Sequence, residues 1–93
     1  MADLLTDEEI EAGIAGTDWR RDGGAIVRDR QLEDFAAAMA FVNQVAEAAE
    51  EANHHPDILV HGWNRVRLTL STHSEGGLTR SDLEMAKRID ALG

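Results

Sequence analysis

The stretch NRVRLTLST at residues 64–72 alternates polar and apolar side chains at every second position. Because successive side chains of a β-strand point to opposite faces, this alternation predicts a half-buried strand with Val66, Leu68 and Leu70 turned towards the core. The preceding segment Ile58-Leu59-Val60 has strand composition, and Gly62 lies at the connection. These two segments therefore predict an antiparallel hairpin.

Helical patterns lie on both sides of this hairpin. Residues 33–52 form the longest, and Pro56 ends it because proline disfavours helical geometry in the residue before it. Its apolar side chains recur at three- and four-residue spacings and predict one buried stripe: Phe35, Ala38, Met39, Val42, Val45, Ala46 and Ala49. After the turn Glu75-Gly76-Gly77, Thr79 is placed to cap a final helix, with apolar positions at Leu83, Met85, Ala86, Ile89 and Leu92.

The N-terminal third predicts a helix and a second hairpin. Thr6 and Glu9 match a capping box, so a short helix should follow and bury Ile10 and Ile14. A turn at Asp22-Gly23-Gly24 then separates two short strand segments. The order helix, hairpin, long helix, hairpin, helix predicts an α+β fold, with a four-stranded antiparallel sheet and helices packed on one face, in one domain over residues 1–93.

Composition narrows the classes of function. The chain has 93 residues, no cysteine and a formal net charge of −9, so disulfides and thiolate metal sites are excluded. Scattered basic residues among twice as many acids argue against direct nucleic-acid binding. No apolar run is long enough to span a membrane, and the first residues do not resemble a secretory leader. We therefore expect a cytoplasmic protein, and its small core favours a homo-oligomer.

Three of the four histidines lie where predicted elements end. His54 and His55 follow the long helix, immediately before Pro56, and His73 follows the long strand. Histidine can gain or lose a proton near neutral pH, so three converging imidazoles would suit general acid–base catalysis. The structural alternative is that a histidine at a helix C-terminus binds the last carbonyl groups of that helix. These residues alone do not decide between the two readings.

A metal site is another alternative. His54, His55, His73 and Asp82 are possible zinc or iron ligands, but their spacing does not match the usual ligand motifs on a helix or strand. Asp82 is also three residues after Thr79, where it can complete a capping box. We interpret His61 as a surface or structural residue, and Trp19 and Trp63 as core or interface residues rather than ligand platforms.

Taken together, several motifs resemble the pterin-4a-carbinolamine dehydratase family. The resemblance covers residues 19–92 and rests on the order and spacing of five motifs: Ala49-Glu50, Asn53-His54-His55-Pro56-Asp57, Trp63-Asn64-Arg65-Val66, Leu70-Ser71-Thr72-His73, and Gly76-Gly77-Leu78-Thr79 with Asp82. Each motif alone is a weak signal, and the combination is specific.

The resemblance implies an enzyme that removes water from a 4a-hydroxytetrahydropterin to give a quinonoid dihydropterin, without a metal or a bound cofactor. By position, the catalytic residues would be His54, His55, His73 and Asp82, and the substrate-binding residues would be Glu50, Ser71 and Thr72. It implies a homodimer or homotetramer. We expect His55 and His73 to be the acid–base pair, with His54 orienting the substrate.

Departures from the family pattern and one further alternative function accompany the resemblance. Trp63 replaces a usual tyrosine and Ile58 replaces a frequent aromatic residue, which leaves the histidines intact but alters the expected pocket. Some members of this fold act as transcriptional coactivators by stabilising the oligomer of a partner protein. A non-catalytic interaction module is therefore the alternative function.

Overall fold

Strand β4 (Arg65–Leu70) pairs on both sides within a four-stranded antiparallel sheet of strand order β1-β2-β4-β3. In this computed structural model, which describes residues 3–92, the remaining elements are α1 (Asp7–Ile14), β1 (Arg20–Asp22), β2 (Ala25–Gln31), α2 (Phe35–Ala52), β3 (Asp57–His61), a 3-10 turn (His73–Glu75) and α3 (Arg80–Asp90). Three helices and a four-stranded antiparallel sheet confirm the predicted α+β fold. The predicted limits of the domain, Met1 and Gly93, lie outside the described residues.

The sheet has one apolar face, against which the helices pack. Val66, Leu68 and Leu70 are buried on β4 while Arg65 and Arg67 are exposed, so the predicted inward and outward faces are confirmed. Ile26 of β2 lies opposite Leu70 and is also fully buried. The strand is shorter than the predicted 64–72, because it begins only at Arg65 and because Ser71 and Thr72 leave the ladder towards the 3-10 turn.

Helix α2 begins two residues later than predicted, since Asp34 is its N-cap and accepts a hydrogen bond from the Ala37 amide at 2.8 Å. Its buried positions are Ala38, Phe41, Val45, Ala48 and Ala49. The predicted stripe was therefore wrong at Phe35, which is 55% exposed, and at Ala46, which faces solvent. At 3.6 residues per turn, Phe35 and Ala46 lie roughly a quarter turn from the centre of the face that the buried residues define, so they fall outside it.

Both shorter helices begin at capping boxes, as predicted. The Thr6 amide donates to Glu9 at 2.9 Å, and the Thr79 amide donates to Asp82 at 2.9 Å. The predicted apolar residues of α3 pack into the core, with Met85, Ala86 and Ile89 buried.

The two tryptophans differ in their surroundings. Trp19 is buried and donates its indole N–H to Asp90 at 2.9 Å, which confirms its place in the core. Trp63 is 62% exposed and has a positive φ of 58° in the β3–β4 connection, so it is not a core residue. Among residues 3–92, no helix combines the length and the apolar character needed to cross a membrane.

Candidate active site

The end of α2 presents two histidines on a tight turn. Asn53 adopts the left-handed conformation (φ 51°) that stops the helix, and the His54 amide then donates to the Ala49 carbonyl at 3.1 Å. Pro56 and strand β3 follow at once. Because the backbone turns here, the two neighbouring imidazoles bind carboxylates on different helices.

His54 is hydrogen-bonded to Asp82 of α3. Its Nε2 lies 2.6 Å from Oδ1 of Asp82; the imidazole is 16% exposed and the carboxylate is completely buried. Because an ionised carboxylate only accepts hydrogen bonds, this contact places a proton on Nε2. It thereby fixes both the ring orientation and the tautomer of His54.

Three donors hold the Asp82 carboxylate in place. Besides His54, the Thr72 hydroxyl donates to Oδ2 at 2.7 Å and the Thr79 amide donates to the same oxygen at 2.9 Å. The hydroxyls of Thr72 and Thr79 are 2.8 Å apart, and since Thr72 gives its proton to Asp82, Thr79 donates to Thr72. A buried carboxylate needs such partners, because an unpaired one is strongly disfavoured away from water.

His55 binds a second carboxylate, at the protein surface. Its Nε2 contacts Oε2 of Glu50, one helical turn back on α2, and both side chains are more than half exposed. In both histidines Nε2 thus contacts a carboxylate, but only the contact between His54 and Asp82 is largely shielded from solvent.

His73 and Ser71 lie on either side of Thr72. His73 opens the exposed 3-10 turn, one residue after the threonine that binds Asp82. No hydrogen bond joins the three histidines to one another within residues 3–92. The Ser71 hydroxyl donates to the Gly24 carbonyl in the β1–β2 turn at 2.9 Å.

Most of the predicted site residues are thus gathered at one end of the sheet. Contacts link His54, Asp82 and Thr72 to one another and His55 to Glu50. His73 follows Thr72 in the chain, and within residues 3–92 its side chain forms no hydrogen bond to the other site residues. Thr79 was predicted only as a helix cap, although it is completely buried and bonded to Thr72. The Thr-x-x-Asp spacing of the capping box was the available signal, since it places the threonine against the aspartate.

The ligands proposed for a metal alternative do not form a cluster. Across the described part of the chain, no three histidine, aspartate or glutamate side chains are grouped as metal ligands. A cavity of about 180 Å³ opens beside His54, between the end of α2 and α3, and is lined by Ala52, Ser81, Glu84, Met85 and Arg88.

Comparisons with known proteins identify the family of this chain. The family model for pterin 4 alpha carbinolamine dehydratase matches residues 3–92. Two relatives carry names beginning "Putative pterin-4-alpha-carbinolamine dehydratase". One, from Nocardia farcinica, is 52% identical over 97% of this chain and 95% of its own length. The other, from Gloeobacter violaceus, is 55% identical over 91% of this chain and 97% of its own length.

Two solved structures share the fold. A transcriptional coactivator/pterin dehydratase from Brucella melitensis superposes with a TM-score of 0.89 at 36% identity, covering 96% of this chain and 97% of its own. A pterin dehydratase-like protein identified as a RuBisCO assembly factor in the alpha-carboxysome superposes at 0.68 with 28% identity, covering 83% and 90%. The match across almost the whole chain shows that this protein belongs to the pterin-4a-carbinolamine dehydratase family.

Proposed function

We propose that this protein dehydrates a 4a-hydroxytetrahydropterin to a quinonoid dihydropterin by histidine acid–base catalysis, in the recycling of a tetrahydropterin cofactor. The observation that carries the proposal is the His54–Asp82 pair, in which a completely buried carboxylate with three donors orients an imidazole next to His55. Membership of the family supplies the substrate class.

The reaction needs two proton transfers and no change of oxidation state. A proton goes to the hydroxyl on the carbinolamine carbon, whose C–O bond breaks to release water. A second proton leaves the adjacent ring nitrogen, and the freed electron pair forms the C=N bond. Imidazoles that accept and donate near neutral pH suit both steps, each worth about 10²–10⁴-fold in rate.

The contacts favour a different division of roles from the one expected from the sequence. Since Nε2 of His54 donates to Asp82, its Nδ1 is the nitrogen left to accept a proton from the substrate. We therefore assign His54 as the base. His55 and His73 are both exposed, and we assign them to the acid side of the reaction, in which one of them delivers the proton to the departing hydroxyl.

Glu50, Thr72 and Ser71 keep supporting roles in the proposal. Glu50 orients His55 as Asp82 orients His54. The Thr72 hydroxyl is occupied by Asp82, which supports a positioning role rather than direct contact with the pterin. Ser71 is tied to the β1–β2 turn and would bind substrate only by exchanging that partner.

Dehydration of freshly generated 4a-hydroxytetrahydropterin tests the proposal. We expect the wild-type protein to accelerate the reaction well above buffer, and single alanine substitutions at His54, His55 and His73 each to lower kcat. Gln44→Ala, at an exposed position of α2, is the matched control and should keep the wild-type rate. Wild-type protein that performs no better than buffer would refute the proposed activity.

The second candidate is an interaction module that stabilises a partner's oligomer. It is favoured by the names of the two structural neighbours, which include a coactivator and an assembly factor, and by exposed apolar side chains at Phe35, Leu59 and Trp63. Under this candidate, partner binding survives the triple substitution His54→Ala/His55→Ala/His73→Ala. Loss of binding in that variant, with the fold intact, contradicts it.

We also propose that the chain forms a homodimer or homotetramer. Strand β3 lies at an edge of the sheet with Leu59 about half exposed, and an unpaired edge favours association with another chain. Light scattering coupled to gel filtration measures the mass in solution, and a monomer at all concentrations would contradict this proposal.

A further inference from the structure

A polar row crosses three strands at the end of the sheet that carries the β3–β4 turn. Arg65, the first residue of β4, lies opposite Gln31 of β2 on one side and opposite His61 of β3 on the other. Paired residues of neighbouring strands point to the same face, and here that face is the one away from the helices. The row thus places an amide, a guanidinium and an imidazole side by side on the open face.

The carboxylate nearest this row is already neutralised. Asp29, in the adjacent row, accepts from Arg67 at 2.8 Å and forms an ion pair with Arg20 at 2.8 Å. The hydrogen bond from Arg67 holds the pKa of Asp29 below its usual value, so Asp29 is ionised at neutral pH. Two guanidinium groups bind this carboxylate and Asp22 also acts on Arg67, so the charges of the adjacent row offset one another and Asp29 is not free to pair with Arg65.

The row itself has unused donors. Within residues 3–92, the side chains of Gln31, His61 and Arg65 make no hydrogen bond or ion pair, and all three residues are exposed. Such a group of donors contrasts with the formal net charge of the whole chain, which is −9. Arg guanidinium groups match the geometry of carboxylate and phosphate oxygens and bind them through two parallel hydrogen bonds.

The row lines a cavity separate from the histidine site. The cavity has a volume of about 400 Å³ and is bounded by Asp29, Arg30, Gln31, His61, Arg65 and Arg67. Because Gln31, His61 and Arg65 are all exposed, this cavity is an open depression on the sheet face rather than an enclosed pocket. The Asp82 network lies beyond the other end of β4, and at about 3.3 Å per residue the strand alone separates the two sites by roughly 17 Å.

We propose that this cavity binds the oxyanion group of a small organic anion, a phosphate monoester or a carboxylate, with Arg65 as the principal ligand and Gln31 and His61 as flanking donors. It is a second binding site, independent of the proposed dehydratase activity. The size of the cavity leaves space for an organic portion beside the oxyanion.

Titration of ¹⁵N-labelled full-length protein with phenyl phosphate, benzoate, inorganic phosphate and phenol tests the proposal. We expect saturable shifts centred on the amides of Gln31, His61 and Arg65 with at least one organic anion. Phenyl phosphate and benzoate distinguish a phosphoryl from a carboxylate ligand, and inorganic phosphate measures the contribution of the organic portion. Phenol lacks the oxyanion and should leave these amides unshifted.

Two substitutions test whether Arg65 and Gln31 bind the anion. Arg65→Gln should weaken binding about tenfold or more, and Gln31→Glu should do the same by placing a carboxylate in the row. Lys87→Gln changes the net charge as Arg65→Gln does, at an exposed position of α3, and should bind as wild type. Near-UV circular dichroism confirms that each variant is folded. Equal affinity in Arg65→Gln and Lys87→Gln, no saturable shift with any anion, or shifts confined to the His54 region would overturn the proposal.

Discussion

Replacing Asp82 with asparagine removes one acceptor from the site while keeping the size of the side chain. The carboxylate accepts at Oδ1 from His54 at 2.6 Å and at Oδ2 from Thr72 at 2.7 Å and Thr79 at 2.9 Å. An amide has a single oxygen, so its NH₂ must face either the threonines or the imidazole.

The two orientations have different costs. With NH₂ towards the threonines, the buried Thr79 amide loses its acceptor, which costs about 1–3 kcal/mol. With NH₂ towards His54, the imidazole must accept at Nε2 and carry its proton on Nδ1 instead, at a cost of about 1 kcal/mol for the weaker neutral hydrogen bond. We therefore expect the second orientation, and a Tm lowered by about 4–8 °C for a chain of this size.

The consequence for activity is much larger than the consequence for stability. A proton on Nδ1 prevents His54 from acting as the base, so we expect kcat/KM for dehydration to fall by about 10²–10⁴-fold. Long-range ¹H–¹⁵N correlation spectra should show the Nε2–H tautomer of His54 in wild type and the Nδ1–H tautomer in Asp82→Asn.

Asp18→Asn is the matched control, since it makes the same change in charge at an exposed residue. We expect this control to retain wild-type activity and Tm. Unchanged kcat/KM in Asp82→Asn, with the His54 tautomer switched, would refute the assignment of His54 as the base.

Three further predictions concern residues around the site and the sheet. Thr72→Val removes the hydroxyl that donates to Asp82 and should lower kcat with little change in KM; a raised KM with unchanged kcat would instead indicate that this hydroxyl binds substrate. Asp29→Asn should lower the free energy of unfolding at pH 7 by about 0.2–1 kcal/mol. The folded-state pKa of Asp29 is lowered mainly by the hydrogen bond from Arg67. The difference in the free energy of unfolding between this variant and wild type is therefore present above about pH 4 and is lost as the pH falls through the folded-state pKa. Urea titrations at several pH values measure that difference. Gly13→Ala adds a methyl group 2.5 Å from the end of the half-buried Leu83 side chain, which can rotate away, so the better helix propensity of alanine should offset the contact and keep the free energy of unfolding within about 1 kcal/mol of wild type in thermal unfolding; a larger loss would show that Leu83 is fixed in place.

Local signals in the sequence predicted the buried face of β4 and the starts of two helices correctly. The alternation of β4 identified its buried face, and the capping boxes at Thr6 and Thr79 identified the starts of α1 and α3. The buried stripe of α2 was less well predicted, because apolar composition alone did not show that Phe35 lies beyond the packed face while Phe41 lies within it.

The contacts between the side chains of the candidate site were harder to predict than the identity of its residues. His54 and Asp82 are 28 residues apart and meet only because α2 and α3 pack on the same face of the sheet. The resemblance to a family indicated the histidines, but it did not indicate that the His54 imidazole is half-buried while those of His55 and His73 are exposed. Trp63 shows the same limit, since it is exposed and adopts a left-handed turn conformation that an aromatic residue rarely adopts.

The most direct test of proton transfer by the histidine pair is the dehydration rate of the double variant His54→Ala/His55→Ala, measured with and without added imidazole. Proton transfer by these side chains predicts a rate close to that of buffer alone for the variant, and partial recovery when imidazole occupies the space they leave. A double variant that is folded and dehydrates the carbinolamine at the wild-type rate would contradict proton transfer by His54 and His55.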